Sequence, residues 1–176
     1  MINQIGKIGG GCYMKETFDD ALKFVLDHEG YVSNNPKDPG GLTVFGLSKR
    51  AFGSDVDKMA KMSKDDAKVF ASAIYRTHYW DALGLNEYHF PLDIVLFDTA
   101  VNQCINKART LLTLASGDVF KFIVLRIKHY NHLGVLPKYK VFLKGWLNRV
   151  RDLCTLISLD YEKLLNESTK QKSKHN

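Results

Sequence analysis

The feature that most constrains this chain is an amphipathic segment whose apolar stripe ends in an acid. Thr17 offers an N-cap, and Asp20, three residues on, imitates the return half of a capping box. Phe18, Ala21, Leu22, Val25 and Leu26 then recur at helical spacing and form one buried stripe. Glu29 comes eleven residues after Phe18, which at about 100° per residue returns it nearly to the azimuth of Phe18. Gly30 stands where a helix stop is expected. A carboxyl group is thus set on an apolar face at a helix C-terminus. Partial burial and the negative end of the helix dipole both disfavour its anion, so its pKa is expected to rise. An acid protonated near neutral pH can serve as a general acid. The other reading is a glutamate that frays out of the last turn into solvent.

After Gly30 the chain enters a loop built from turn formers: Asn34-Asn35-Pro36, Asp38-Pro39 and Gly40-Gly41. They hold Asp38 near the helix end without regular structure, and the glycines allow backbone to approach a ligand. A glycosidase needs one acid to protonate the leaving oxygen and a second carboxylate as nucleophile, base or charge stabiliser. Glu29 and Asp38 fit that pair, and the Thr43 hydroxyl could hold a water or a sugar hydroxyl. The other reading of Asp38 is an Asx-turn residue that stabilises the loop. Leu42 to Leu47 is the one plausible strand, part of a small hairpin beside the cleft.

The 176 residues suffice for one domain with a substantial core, or for a domain plus a small helical lobe. A formal net charge of +6 suits an anionic partner, whether nucleic acid, membrane surface or acidic wall polymer. Lysines and arginines are scattered rather than gathered on one recognition helix, which ranks a nucleic-acid-binding domain low. No run approaches the ~20 apolar residues of a membrane span, so no stable membrane insertion is expected. Residues 1–14 read as a flexible lead-in without the apolar core of a signal peptide. Cys12, Cys104 and Cys154 are odd in number and widely spaced, against a disulfide framework or zinc site. Cys104 and Cys154 fall in apolar helical patterns and are expected as buried free thiols. Only His129 and His132 share helical spacing and no third ligand lies near, so neither metal nor cofactor is expected.

Further along, Ser48 can cap a short helix stopped by Gly53. Ser63-Lys64-Asp65-Asp66 opens a longer one, with Ala67, Phe70, Ala71 and Ile74 turned inward. Near its end, Tyr75, Tyr79 and Trp80 can either stack on sugar rings or seal the helix against the core. From Pro91, suited to the first helical position, the helix Leu92 to Cys104 is apolar nearly all round and should be central. Asp98 and Asn102 interrupt it on one face. They either open onto the glycan cleft, with Asn102 binding an N-acetyl or hydroxyl group, or form an internal network tying helices together. A short helix from Asn106 comes next, then the Ser116-Gly117-Asp118 turn, then a long helix from Phe120 to Leu133 stopped by Gly134. Tyr139 to Asn166 reads as one long helix, with Phe142, Leu143, Trp146, Val150, Leu153 and Ile157 on one face and Gly145 marking close helix approach. The polar, basic tail from Ser168 is expected to be disordered.

Glu29-Gly30-Tyr31, Asn34 to Gly41 and Thr43-Val44-Phe45-Gly46-Leu47 together resemble the signature of glycoside hydrolase family 108, the lysozyme-like muramidases of phage endolysins and related bacterial proteins. Phe97 to Asn102 resembles a second block of that family, and Gly145-Trp146-Leu147-Asn148-Arg149 resembles the closing motif of its helical C-terminal part. The resemblance implies a mainly α, lysozyme-like fold with a small β-hairpin by the active-site cleft and a packed helical C-terminal lobe. It implies cleavage of peptidoglycan glycan strands, with Glu29 matching the catalytic glutamate. The order Glu29, Asp38, Thr43 also resembles the triad of phage lysozymes in a neighbouring family, with the gap from Asp38 to Thr43 one residue shorter.

The expected organisation is a lead-in over 1–14, a catalytic region over 15–105, a helical lobe resembling a peptidoglycan-binding region over 106–166, and a tail over 167–176. The expected catalytic group is Glu29, Asp38 and Thr43. Substrate contacts are expected from Tyr31, Asn35, Tyr79, Trp80, Asp98 and Asn102. The expected protein is a monomeric N-acetylmuramidase, made in the cytoplasm and acting on the periplasmic wall after release by a holin or secretion system. The alternative is a catalytically silent wall-binding or secretion-associated protein on the same fold.

Overall fold

The computed structural model describes residues 10–34 and 41–170, with side chains of the first helix from Thr17 onward. The chain divides into two compact units, Met1–Phe90 and Pro91–Asn176.

In the first unit, α1 spans Gly10–Glu29. The predicted stripe is its buried face: Phe18, Ala21, Leu22, Val25 and Leu26 are all inside. The helix begins before Thr17, however. Thr17 is buried in its interior rather than capping it, because a capping preference of about 1 kcal/mol yields to packing of the neighbouring stripe. The expected lead-in over 1–14 is therefore already helical from Gly10; residues 1–9 lie outside the described residues. Three two-residue strands come after it: β1 Val32–Ser33, β2 Thr43–Val44 and β3 Leu47–Ser48, an antiparallel sheet in that order. Val32 faces Val44, and Val44 faces Leu47. The expected hairpin is the β2–β3 half of this sheet.

Two short helices, α2 Lys49–Phe52 and α3 Ser54–Met59, are separated by Gly53. Then α4, Lys64–Tyr75, starts where the cap signal lies: the Ser63 Oγ accepts from the Asp66 backbone N–H at 3.1 Å and donates to the Asp66 carboxylate at 2.7 Å. Ala67, Ala71 and Ile74 are buried, while Phe70 is only half so. A π-helical segment, Arg76–Asp81, continues α4 without a break.

The second unit opens with α5, Leu92–Asn102, which buries Ile94, Val95, Leu96, Phe97 and Ala100 as an all-round apolar helix should. Next come α6, Ile105–Ala115, and α7, Val119–Gly134, the latter capped by Asp118 accepting from the Lys121 N–H at 2.7 Å. Cys104 is exposed, not buried: it occupies the N-cap of α6, where its Sγ accepts from the Lys107 N–H. Cys154 is buried as expected, and burial pushes its thiol pKa up to about 11.

The expected helix from Tyr139 to Asn166 is broken. A 3-10 turn, Lys140–Phe142, leads into α8, Leu143–Leu156, and α9, Tyr161–Lys170, starts after a gap. Ser158 takes the left-handed conformation (φ 56°), and the Leu159 N–H reaches back to the Cys154 carbonyl at 2.8 Å. This is a Schellman-type stop built without glycine. Asp160 then receives the Lys163 N–H at 3.0 Å and starts α9. The expected tail from 167 is helical through Lys170, with Ser168 buried; residues 171–176 lie outside the described residues. Gly145 has open space around it, and the close approach falls at Gly134, where an added Cβ would lie 2.5 Å from Leu143 Cδ2.

Asp98 holds this unit together. Fully buried, it accepts from Arg126 Nη1 at 2.6 Å and from Arg149 Nε at 2.8 Å. Arg126 donates onward to the Tyr130 hydroxyl, which donates to Asn102 Oδ1. One carboxylate thus ties α5 to α7 and α8. Burial by itself would raise the Asp98 carboxyl, but the Arg126 and then Arg149 charges, with their hydrogen bonds, hold it below the usual carboxylate range. Asp98→Asn strands two buried guanidiniums, so a loss of about 3–5 kcal/mol is expected, read as a lower denaturant midpoint at unchanged slope. Because the folded carboxyl is depressed, its contribution is complete above the unfolded value near ~3.9 and fades as pH falls through the folded one. Acid titration followed by circular dichroism should show the wild-type helices intact at pH ~4 and lost only below it.

Candidate functional site

The site in the first unit grows from the C-terminus of α1. Glu29 is the last helical residue, and Gly30 turns the chain away in the left-handed conformation (φ 72°). The chain returns through β2 into a two-residue turn, Phe45-Gly46, with φ 48° and 79°. Positive φ at both central positions is the geometry of a type I′ hairpin, which matches the twist of the flanking strands. Phenylalanine enters this region at a cost, and its contacts hold it there. The Phe45 N–H donates to the Tyr31 carbonyl at 2.6 Å, and the buried Tyr75 hydroxyl donates to the Phe45 carbonyl at 2.8 Å.

This turn lies against the candidate acid. A Cβ on Gly46 would stand 2.7 Å from Glu29 Cγ, 2.8 Å from Glu29 Cβ and 2.8 Å from the Tyr75 oxygen. The glycine is therefore required twice, by its φ and by the glutamate stem above it. Glu29 is half-buried. Tyr79, in the π-helical segment, lies within Coulombic reach. Burial raises the pKa of its phenol, and the Glu29 charge raises it further. Tyr79 thus stays a neutral hydrogen-bond donor through the ordinary pH range. The arrangement is a half-buried carboxyl with its stem packed on backbone and a phenol nearby, and it is chemically able to hand a proton to a bound oxygen.

The other expected residues fall variously. Tyr31 is half-buried, its ring 4.9 Å from Phe45 and 5.6 Å from Lys64 Nζ. Thr43, in β2, is half-buried, with its hydroxyl donating to the Gly41 carbonyl at a long 3.4 Å. Asp38 and Asn35 lie outside the described residues. Trp80 does not offer a stacking face: it is 1% exposed, with Phe18 edge-on at 5.2 Å and its Nε1 donating to Asn86 at 2.8 Å. It seals the core: the wider π-helical turn swings residue i+5 round towards the face of Tyr75, beside i+4 Tyr79, whose ring lies 5.6 Å from that of Tyr75. Asp98 is likewise not a substrate contact, since both its oxygens are engaged by arginines inside the second unit. Asn102 belongs to the same internal network. It also lines a cavity of about 240 Å³ within that unit. Its neighbour there, Gln103, has an amide whose buried oxygen and nitrogen find no hydrogen-bond partner among the described residues.

Sequence reasoning did not identify Gly46 as part of the site, nor Tyr75 as the residue that anchors the turn beneath it. The available signal was a glycine at the second position of a two-residue turn between apolar strands. Gly46→Ala should displace the Glu29 side chain and cost about 1–3 kcal/mol from φ strain. Thermal unfolding reads the stability loss. Tyr79 should titrate lower in Glu29→Gln, though still above its ordinary value, which NMR of the Tyr79 ring would resolve.

Residues 22–103 match the family model described as glycosyl hydrolase 108. No protein with curated function matches the chain. Among solved structures, SagA from Brucella abortus is similar over 88% of this chain and 97% of its own, with a TM-score of 0.60 at 23% identity. Identity that low speaks for the fold alone. The fold is the mainly α, lysozyme-like one with a small sheet that the sequence led us to expect, the sheet having three strands rather than two. Residues 22–103, which carry the C-terminal part of α1 with Glu29, the hairpin and α5, are thus similar to the glycosyl hydrolase 108 family.

Proposed function

We propose that this protein is a peptidoglycan hydrolase of the endolysin type, an N-acetylmuramidase with Glu29 as general acid. The family supports hydrolysis of peptidoglycan glycan in general. The observation that carries the finer reading is the position of Glu29, half-buried at the end of α1 with its stem packed against Gly46. In this reading Glu29 protonates the glycosidic oxygen as the C1–O bond breaks. The sugar left behind develops oxocarbenium character, and water completes the hydrolysis. Asp38, placed by the sequence in the loop after β1, stabilises that charge or activates the water. Thr43, in the strand that leads into the turn, helps to place the water. The neutral phenol of Tyr79 supplies a hydrogen bond to the glycan beside the acid. A net charge of +6 favours approach to a wall bearing carboxylates. Release into the periplasm by a holin or a secretion system would bring the protein to its substrate.

The test is turbidity loss of outer-membrane-permeabilised Gram-negative cells, with mass analysis of the released fragments. Glu29→Gln is expected to lower the rate by about 10²–10⁴ while its circular dichroism stays that of wild type. Fragments ending in reducing muramic acid support the muramidase; reducing N-acetylglucosamine would make it a glucosaminidase. Undiminished lysis by Glu29→Gln would remove Glu29 as the acid. No lysis by wild type, with binding to purified sacculi retained, would establish a wall-binding protein on the same fold.

A further inference from the structure

The second unit carries an unusual run of charge. From residue 119 to residue 151 the sequence has eight lysines and arginines and neither aspartate nor glutamate. Two of the eight, Arg126 and Arg149, are buried on Asp98. Lys138, Lys140 and Lys144 are exposed and, among the described residues, have no carboxylate partner. Between and beside them stand large apolar side chains turned to solvent: Val135 is 77% exposed, Leu136 42%, Val141 77% and Phe142 53%.

The segment is built rather than loose. The Leu136 N–H donates to the Leu133 carbonyl at 2.9 Å, those of Tyr139 and Lys140 donate to the Leu136 carbonyl at 2.9 and 3.1 Å, and that of Phe142 donates to the Tyr139 carbonyl at 3.0 Å. Phe142 stacks on Trp146 at 5.9 Å, and Leu143 sits against Gly134. Folding therefore holds these apolar groups out of the core in a fixed turn. Exposed apolar clusters of this kind mark contact surfaces.

The chemistry selects the partner. A soluble polyanion would use the lysines but gain nothing from Val135, Val141 or Phe142. An apolar protein groove would use those three and leave lysine charges to be desolvated. An anionic lipid surface uses both, with apolar groups at the acyl boundary and ammonium groups among the phosphates above it. Among the described residues no helix is long and apolar enough to cross a membrane, so the contact lies in the interfacial plane. We propose that the turn over residues 135–144 docks this protein on an anionic lipid bilayer. The proposal does not depend on glycan cleavage: its residues lie in the second unit, and its readout contains no substrate.

The experiment is co-sedimentation of the full chain with phosphatidylcholine vesicles, with and without phosphatidylglycerol, over a salt series. Binding to the anionic vesicles alone, weakening as salt rises, is expected. Lys138→Gln/Lys140→Gln/Lys144→Gln should lower the partition coefficient about a hundredfold, roughly fivefold for each lysine. Val141→Ser/Phe142→Ser should lower it by at least about tenfold with circular dichroism unchanged. The proposal is overturned if wild type ignores the anionic vesicles, or if the serine variant binds them as wild type does, which would mean simple polyanion attraction. Concentration-dependent dimers in sedimentation equilibrium that the serine variant abolishes, without vesicle binding, would assign the face to a second copy instead.

Discussion

The contact between Gly46 and the Glu29 stem is the constraint on which the first unit turns. A helix end and a hairpin turn approach so closely that only a hydrogen fits where a methyl would stand. Everything around it serves that approach. Gly30 frees the chain from α1, the pairing of Val32 with Val44 brings β2 back, and the Tyr75 hydroxyl fixes the turn from α4. A carboxyl at a helix end would ordinarily swing among rotamers. Here backbone packed against its stem restricts where the carboxyl can go, which is what proton transfer to a bound oxygen requires.

The second unit solves a different problem by a different interaction. Its central helix is apolar nearly all round and could slide or rotate against its neighbours without much change in buried area. Asp98 removes that freedom, because its two oxygens meet guanidiniums from α7 and α8 at 2.6 and 2.8 Å. A buried ion pair is weak evidence for net stability, since desolvation offsets much of the attraction. Its contribution is better understood as register: one arrangement of the three helices satisfies the carboxylate. The same network consumes Asn102 through Tyr130.

Charge is unevenly used along the chain. In the first unit several basic side chains are taken up locally, as with Lys49 on Asp57, Lys58 on Asp55 and Arg76 on Asp81. In the second, the acid-free run leaves Lys138, Lys140 and Lys144 to solvent beside exposed apolar side chains. A net charge of +6 therefore does not describe a uniformly basic surface, and the part that stays unneutralised marks where an anionic partner has most to gain.

By itself the sequence determined the elements whose signals are local and periodic. The stripe from Phe18 to Leu26, the Ser63 and Asp118 caps, the all-apolar helix after Pro91, and the acid before Gly30 were all legible, because spacing and capping chemistry act within a few residues. Glu29 could be singled out on that basis, and the resemblance of the loop after it pointed to the family. What the tertiary structure alone decided was where polar and aromatic side chains end up. Trp80 went inside because a π-helical turn shifted its face, Asp98 found arginines 28 and 51 residues away, and a serine without any glycine signal ended α8. Gly46 belongs to the same class. Its turn could be read from sequence, but its pressure on Glu29 exists only once two segments meet, and contact between segments distant along the chain leaves no periodic trace in either.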